Sequence, residues 1–268
     1  MYNLHIKQNH NYFVEGALVS NCHGIRANVV KELINVHGSL ISHRYGVTGT
    51  FPKPLTDQYS LKISIGQIIR EVPASWLIEQ GYLSRVEIEP METQDDDPEL
   101  PDYASERAYI SKNEERIEAL AKMIQQKRNF HGNTMVLVNS IPQGRVLQDL
   151  IPGSIFLSGE SAKELRQENY SSYAERDDVI VIATAGIAST GLSIDRIFCL
   201  ILVDAGKSFI RAVQSIGRGL RKKGDKKEVY VVDVHSKLKF ARKHFSERKK
   251  YYRDANYPLT KMVKLTYV

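Results

Sequence analysis

Disulfides, membrane spans and metal-ligand clusters are all missing from this chain's pattern. Only two cysteines, Cys22 and Cys199, occur in 268 residues. That is too few for a disulfide framework, and their spacing suits no metal, so no metal site is expected here. No apolar run approaches the roughly 20 residues that span a bilayer, and no signal peptide is recognisable. The expectation is a soluble, cytoplasmic protein of a reducing compartment with no membrane partner. There is no internal repeat and no low-complexity tract. Nor is there a G-x-x-x-x-G-K-[ST] loop, so the chain lacks that means of cradling a triphosphate.

What remains is an ordinary globular composition, 42% hydrophobic and 25% charged, enough to build one large core or two small ones. Net charge is +6. The basic residues crowd into the last fifth, at Lys222-Lys223, Lys226-Lys227 and Arg248-Lys249-Lys250. Such asymmetry fits a polyanionic partner, or simply a solvated lysine-rich surface.

Residues 1–21 read as short strands: Leu4 and Ile6 alternate with polar residues, and Tyr12-Phe13-Val14 leads through Glu15-Gly16 into Ala17-Leu18-Val19. Helical spacing follows over 25–40, then a strand at Arg44-Tyr45-Gly46-Val47 breaking into a turn. A mixed stretch leads to a strand at Val86-Glu87-Ile88. Residues 89–102, with Asp95-Asp96-Asp97 and three prolines, read as a solvated linker. One helix is expected from 105 to 127, with Ile117, Leu120, Met123 and Ile124 on one face. Beyond it, apolar strands at 135–138, 155–157, 179–183, 197–203 and 229–234 alternate with helical segments. The run at 229–234 reads as the last strand. That alternation predicts an α/β fold with a parallel sheet covered on both faces, and ligands at the carboxyl ends of its strands.

Two segments carry chemistry on their own residues. In Gln214-Ser215-Ile216-Gly217-Arg218-Gly219-Leu220-Arg221, arginines three apart project from one side of a helix, and two such cations stabilise charge on a phosphoryl group. The plain alternative is an exposed basic helix. At Asn21-Cys22, an asparagine amide can attack its own carbonyl, close a succinimide and cut the chain, while the adjacent thiol can accept an acyl group. Elsewhere, Thr184 and Gly191 lie in a small, hydroxylated stretch directly after an apolar strand, a setting that presents backbone N–H groups to phosphate. The terminal stretch 242–253 interleaves basic and aromatic residues, which fits either stacking on nucleic acid or a solvated helix. Cys199 sits in an apolar run and reads as a buried core thiol.

These segments resemble the ordered motifs of superfamily-two helicases, and specifically phage branch-remodelling DNA helicases of the UvsW type. The 214–221 segment is similar to the last helicase motif. The resemblance implies that Gln214, Gly217, Arg218 and Arg221 face ATP phosphates, Gly191 the nucleotide, and Thr184 the nucleic-acid backbone. Thr190-Gly191-Leu192-Ser193 departs from the Arg-Gly-x-Asp of DEAD-box proteins. Thr48 and Thr50 resemble the hydroxyls that couple hydrolysis to strand movement, and Arg166 an arginine that touches backbone phosphate. Cys22-His23 resembles the second half of an Asp-Glu-Cys-His box whose first half is absent, with His23 in the catalytic set.

Residues 1–21 look like the C-terminal fragment of a split intein. In that resemblance His10 assists cleavage, Asn21 cyclises and Cys22 is the acceptor. Ser20 stands where a histidine is usual, and Asn9 where an acid is often found. The implied organisation is an intein fragment at 1–21, the latter part of a first RecA-like domain at 22–92, a linker at 93–101 and a complete second RecA-like domain at 102–268. The implied cofactors are ATP and Mg2+, bound mainly by a missing N-terminal part. The implied partners are an N-terminal helicase and intein precursor and single-stranded or branched DNA, in a host cytoplasm if the chain is phage-encoded. The alternatives are a non-catalytic nucleic-acid-binding module, or a truncated helicase fragment that does not splice.

Overall fold

The computed structural model describes residues 11–14, 17–21, 32–37, 44–47, 54–82, 84–96, 98–159, 176–185, 197–206 and 228–267. Two compact units divide between Val72 and Pro73.

The first unit holds a three-stranded sheet: β1 (Asn11–Val14), β2 (Ala17–Asn21) and β3 (Arg44–Val47). The sequence reading has strands here, and β1 and β2 pair antiparallel with Val14 opposite Ala17. β2 then pairs parallel to β3, with Asn21 opposite Val47. Of the helix expected over 25–40, the described part is a π-helical turn, Leu33–His37. A helix the sequence pattern did not suggest, α1 (Leu55–Ser64), begins directly after Pro54. Proline, fixed near φ −65° and lacking an N–H, suits a helix start, where donors have no partner anyway.

The second unit is one all-parallel, seven-stranded sheet in the order β10-β4-β9-β8-β5-β7-β6. Its elements are α2 (Ala74–Glu79), β4 (Arg85–Thr93), α3 (Tyr103–Lys112), α4 (Glu114–His131), β5 (Thr134–Val138), α5 (Ile141–Leu150), β6 (Ile155–Leu157), β7 (Ile180–Thr184), β8 (Cys199–Val203), β9 (Glu228–Ser236), α6 (Lys239–Asp254) and β10 (Val263–Leu265). The central strands are apolar on both sides because both faces are covered. Met135 and Leu137 of β5 join one core with Leu200, Leu202 and Tyr252. Val136 and Val138 join the other, with Leu120 and Ile124 of α4 and Leu147 of α5. Each such side chain contributes about 1.5–3 kcal/mol by leaving water. α5 packs closely because residue 144 is glycine: a Cβ there would come within 2.1 Å of the Phe156 ring.

The structure departs from the sequence reading in four places. The helix expected over 105–127 is two helices. Asn113, with ψ 107°, leaves the helical region, and its side chain accepts from the Arg116 N–H at 2.9 Å, capping α4. Residues 85–93 do not group with the upstream segment: β4 pairs with β9 along nine residues of the second unit's sheet. The stretch read as a solvated linker buries Met91, Thr93 and Asp95, because the carboxylate meets a buried arginine there. Finally, 229–234 is not the last strand, since β10 adds in parallel to β4.

No helix among the described residues is long and apolar enough to cross a membrane.

Candidate functional site

In a parallel sheet every strand's carboxyl end opens on the same edge, and loops there carry the function. Here that edge holds Asp95 after β4, Asn139 and Ser140 after β5, Thr184 ending β7, Asp204 after β8, and His235-Ser236 ending β9. Thr184 lies beside Val138 in the register of β5 and β7 and is half-buried. Two residues beyond Val138, Ser140 caps α5 by accepting from the Gln143 N–H.

Beneath this edge lies a buried arginine. The Arg116 side chain is fully buried and donates to both oxygens of Asp204, at 2.5 and 2.8 Å. Its Nε lies 3.0 Å from Asp95. Asp95 also accepts from the Thr93 hydroxyl at 2.5 Å and the Tyr267 hydroxyl at 2.6 Å. Burial opposes the charge on Arg116, but Asp204 and then Asp95 outweigh it and keep the guanidinium protonated. Asp204 has φ 51°, a left-handed conformation that costs most residues energy and suits aspartate better than most. The Asn139 amide donates to its carbonyl, and Arg116 holds its carboxylate. One arginine thus ties the ends of β4 and β8 to the start of α4.

A second pair does the same for β9. Arg248 of α6 donates to both oxygens of Asp233 at 2.8 and 2.7 Å, Tyr252 adds a third bond at 2.7 Å, and Arg248 also reaches the Ala205 carbonyl. Glu106 of α3 accepts from the Phe240 and Ala241 N–H groups at 2.9 and 2.7 Å, filling the positive N-terminus of α6. His235 stacks on Phe245 at 3.9 Å between centroids. Burial is the main reason its pKa is lowered, so near neutral pH the ring is uncharged. Cys199 is fully buried and burial pushes its thiol up to about 12, so it is a core residue and not a nucleophile.

The described carboxylates of this edge are therefore spent on arginines and helix ends. Among the described residues no group of three His, Cys, Asp or Glu is placed to hold a metal ion. The arrangement can hold loops in fixed positions and present Thr184, Ser140 and the exposed Arg107, which donates to the Asn139 carbonyl.

Two residues singled out from the sequence are described: Thr184, on this edge, and Asn21, the last residue of β2. His10, Cys22, His23, Thr48, Thr50, Arg166, Gly191, Gln214, Gly217, Arg218 and Arg221 lie outside the described residues. Phe245, Arg248 and Tyr252 bury one face of α6 in the core, while Arg242, Lys243, Lys249, Lys250 and Arg253 stay exposed, so the terminal helix is solvated on one face only. The sequence reading missed Arg116, Asp204, Arg248, Asp233 and Glu106. A signal was present for the arginines: Arg116 is four residues before Leu120, on the apolar stripe of α4, and Arg248 falls between Phe245 and Tyr252.

Replacing Arg116 by alanine is expected to cost about 3–5 kcal/mol of stability, because two buried carboxylates lose their counter-charge. Urea unfolding of the second unit measures this. A loss below about 1 kcal/mol would mean that water reaches Asp95 and Asp204 and that the network is not closed.

Residues 115–223 match the helicase conserved C-terminal domain. The chain is 24% identical over 257 residues to the ATP-dependent DNA helicase UvsW of Enterobacteria phage T4, covering 92% of this chain and 51% of that protein. The chain thus spans about half the length of this curated relative. The crystal structure of T4 UvsW superposes with TM-score 0.57 at 20% identity, over 88% of this chain and 51% of that one. A fragment of a putative HsdR subunit of a type I restriction enzyme from Vibrio vulnificus YJ016 gives 0.69 at 16% identity, over 94% and 48%. S. cerevisiae Dbp5 bound to RNA and ADP BeF3 gives 0.58 at 15%, over 92% and 59%. The second unit has the RecA-like fold of helicase C-terminal domains.

Proposed function

We propose that this chain is the downstream part of an ATP-dependent DNA helicase or translocase of superfamily two, completed by an upstream polypeptide. The observation that carries the reading is a coincidence of position. The helicase C-terminal match over 115–223 spans Thr184, Gly191, Gln214, Gly217, Arg218 and Arg221. Thr184 stands at the carboxyl end of a parallel strand, on the edge where such sheets bind ligands. In this reading Thr184 and Arg166 contact the nucleic-acid backbone, with Thr48 and Thr50 coupling to it from the first domain. Gly191, Gln214, Gly217, Arg218 and Arg221 face the nucleotide. ATP supplies the free energy for strand movement. Its phosphate loop and the carboxylates for Mg2+ belong to the upstream part, beside His23.

We propose further that residues 1–21 are the C-terminal fragment of a split intein, joined at Asn21-Cys22 to the helicase. The hairpin β1–β2 ending at Asn21 supports this, as does the match of His10, Asn21 and Cys22 to the intein pattern. A phage-encoded product would work in the host cytoplasm.

The test of the function is reconstitution. The chain alone is expected to show no DNA-stimulated ATPase, and the joined protein to acquire one. DNA stimulation absent from a verified joined product would refute the reading. The chain alone is nevertheless expected to bind single-stranded DNA weakly, with affinity falling steeply as salt rises, because each phosphate contact releases a counterion. Titration between about 50 and 200 mM salt checks this. A flat dependence would remove the basic face as the contact surface.

A further inference from the structure

Helix α1 of the first unit has an apolar side that is not used within the described chain. Leu61 and Ser64 are buried, but Leu55, Tyr59 and Ile63 are 67%, 61% and 75% exposed. Spaced four apart, they form one stripe along the helix. Scattered exposed hydrophobic residues are ordinary, but three large ones in line mark a contact surface. Ile69, shortly beyond, is 85% exposed. In the same unit the three-stranded sheet runs β1-β2-β3, which leaves β3 with a single neighbouring strand among the described residues. An open strand edge together with an apolar helical stripe is what a layered domain shows when part of its polypeptide is elsewhere. The chain spans about half of its curated relative, and the helicase reading proposed above assigns the phosphate-loop half of the first domain to an upstream polypeptide.

We infer that the Leu55–Tyr59–Ile63 stripe is the docking face for the polypeptide that carries the phosphate-loop half of the first domain. The two pieces meet through this face before any bond forms at Cys22. This rests on the two-piece helicase reading above. The stripe itself carries no charge and so does not suit a nucleic acid. A second copy is the poorer occupant. A ten-residue helix face alone falls well short of the roughly 800 Å2 per partner that a stable interface buries, whereas a half-domain can also pair with the edge of β3.

The test uses the full chain carrying Asn21→Ala plus Cys22→Ala, which stops both cleavage after residue 21 and acyl transfer to residue 22, with and without Tyr59→Lys plus Ile63→Lys. The binding partner is the upstream polypeptide of the same genome that supplies the phosphate loop and the Asp-Glu pair. Losing two interface anchors should raise Kd at least about tenfold. Backbone amide exchange across the β2–β3 pairing at Arg44–Val47 should stay as slow as in the parent, which shows that the first unit, where the substitutions lie, is folded. Protection of Tyr59 from hydroxyl-radical labelling in the complex should disappear in parallel. Unchanged affinity in a folded variant overturns the proposal. So does a concentration-dependent dimer of the chain alone that the two substitutions dissolve, because it assigns the stripe to a second copy. If the pieces bind through the stripe but no joined product hydrolyses ATP, the docking face stands and the helicase reading falls.

Discussion

In the joined helicase proposed above, Arg218→Ala and Arg221→Ala are each expected to lower ATP turnover by about 10³-fold or more while leaving ATP binding largely intact. The reason lies in where the charge develops. A phosphoryl group in transfer spreads negative charge over its outer oxygens and gives the protein little covalent chemistry to perform, so rate depends on cations positioned for that state. Arginines three apart reach such a group from one helix side, and a cation that acts chiefly on the transition state changes kcat far more than ground-state affinity. Lysine should rescue poorly at either position, since a point charge does not reproduce the two-pronged guanidinium. Gln214→Ala should cost less, because an amide orders its neighbours without carrying charge. Steady-state kinetics with a direct nucleotide-binding measurement separate the two effects. Near-normal turnover in either arginine variant would remove the 214–221 segment from the catalytic site.

How much of this was legible in the sequence differs by element. Strands β5, β7, β8 and β9 were readable because a strand buried on both faces writes a continuous apolar run, such as Met135-Val136-Leu137-Val138 or Leu200-Ile201-Leu202-Val203. Thr184 stood out as a candidate because it ends one of those runs, and the structure places it at the carboxyl end of β7. The break at Asn113 was hidden, because the apolar spacing of α4 begins only after it and a single capping asparagine resembles any polar residue. Strand β10 is three residues long with two exposed, too short and too polar to announce itself. It exists because β4 offers it an edge.

The buried charges were the least legible. Asp95 sits in an acidic run that looks like solvated linker, and only the three-dimensional meeting with Arg116 makes burial tolerable. Its partner Asp204 is 88 residues from Arg116 in sequence, so no local pattern connects them. The same holds for Glu106, whose carboxylate caps a helix more than a hundred residues later. These groups are not among the proposed ligand contacts, yet they tie together the strand ends and loops at the edge where Thr184 stands. A local reading finds residues that announce chemistry. It misses those that hold them still.

The remaining large effect concerns Asn21-Cys22. Mixed with a matching upstream precursor under reducing conditions, the chain is expected to lose residues 1–21 and gain a new peptide bond at Cys22. Asn21→Ala removes the amide that closes the succinimide, so ligated product should be abolished and the branched intermediate should accumulate. Cys22→Ala removes the acceptor thiol, so ligation should stop while cleavage persists. The fold adds a physical consequence. β2 runs parallel to β3 with Asn21 opposite Val47, and the chain from Cys22 onward is the same before and after splicing. In the splicing reading the polypeptide newly bonded to Cys22 is expected to take the place of β2 beside β3, after the strand that leaves has unpaired from it. Backbone amide exchange in Arg44–Val47 should accordingly be transiently fast during splicing and slow again in the product. Mass spectrometry of the mixture decides the chemistry: wild-type chain that retains residues 1–21 with a verified partner, or Asn21→Ala that ligates normally, would leave 1–21 as an ordinary hairpin and only the helicase reading standing.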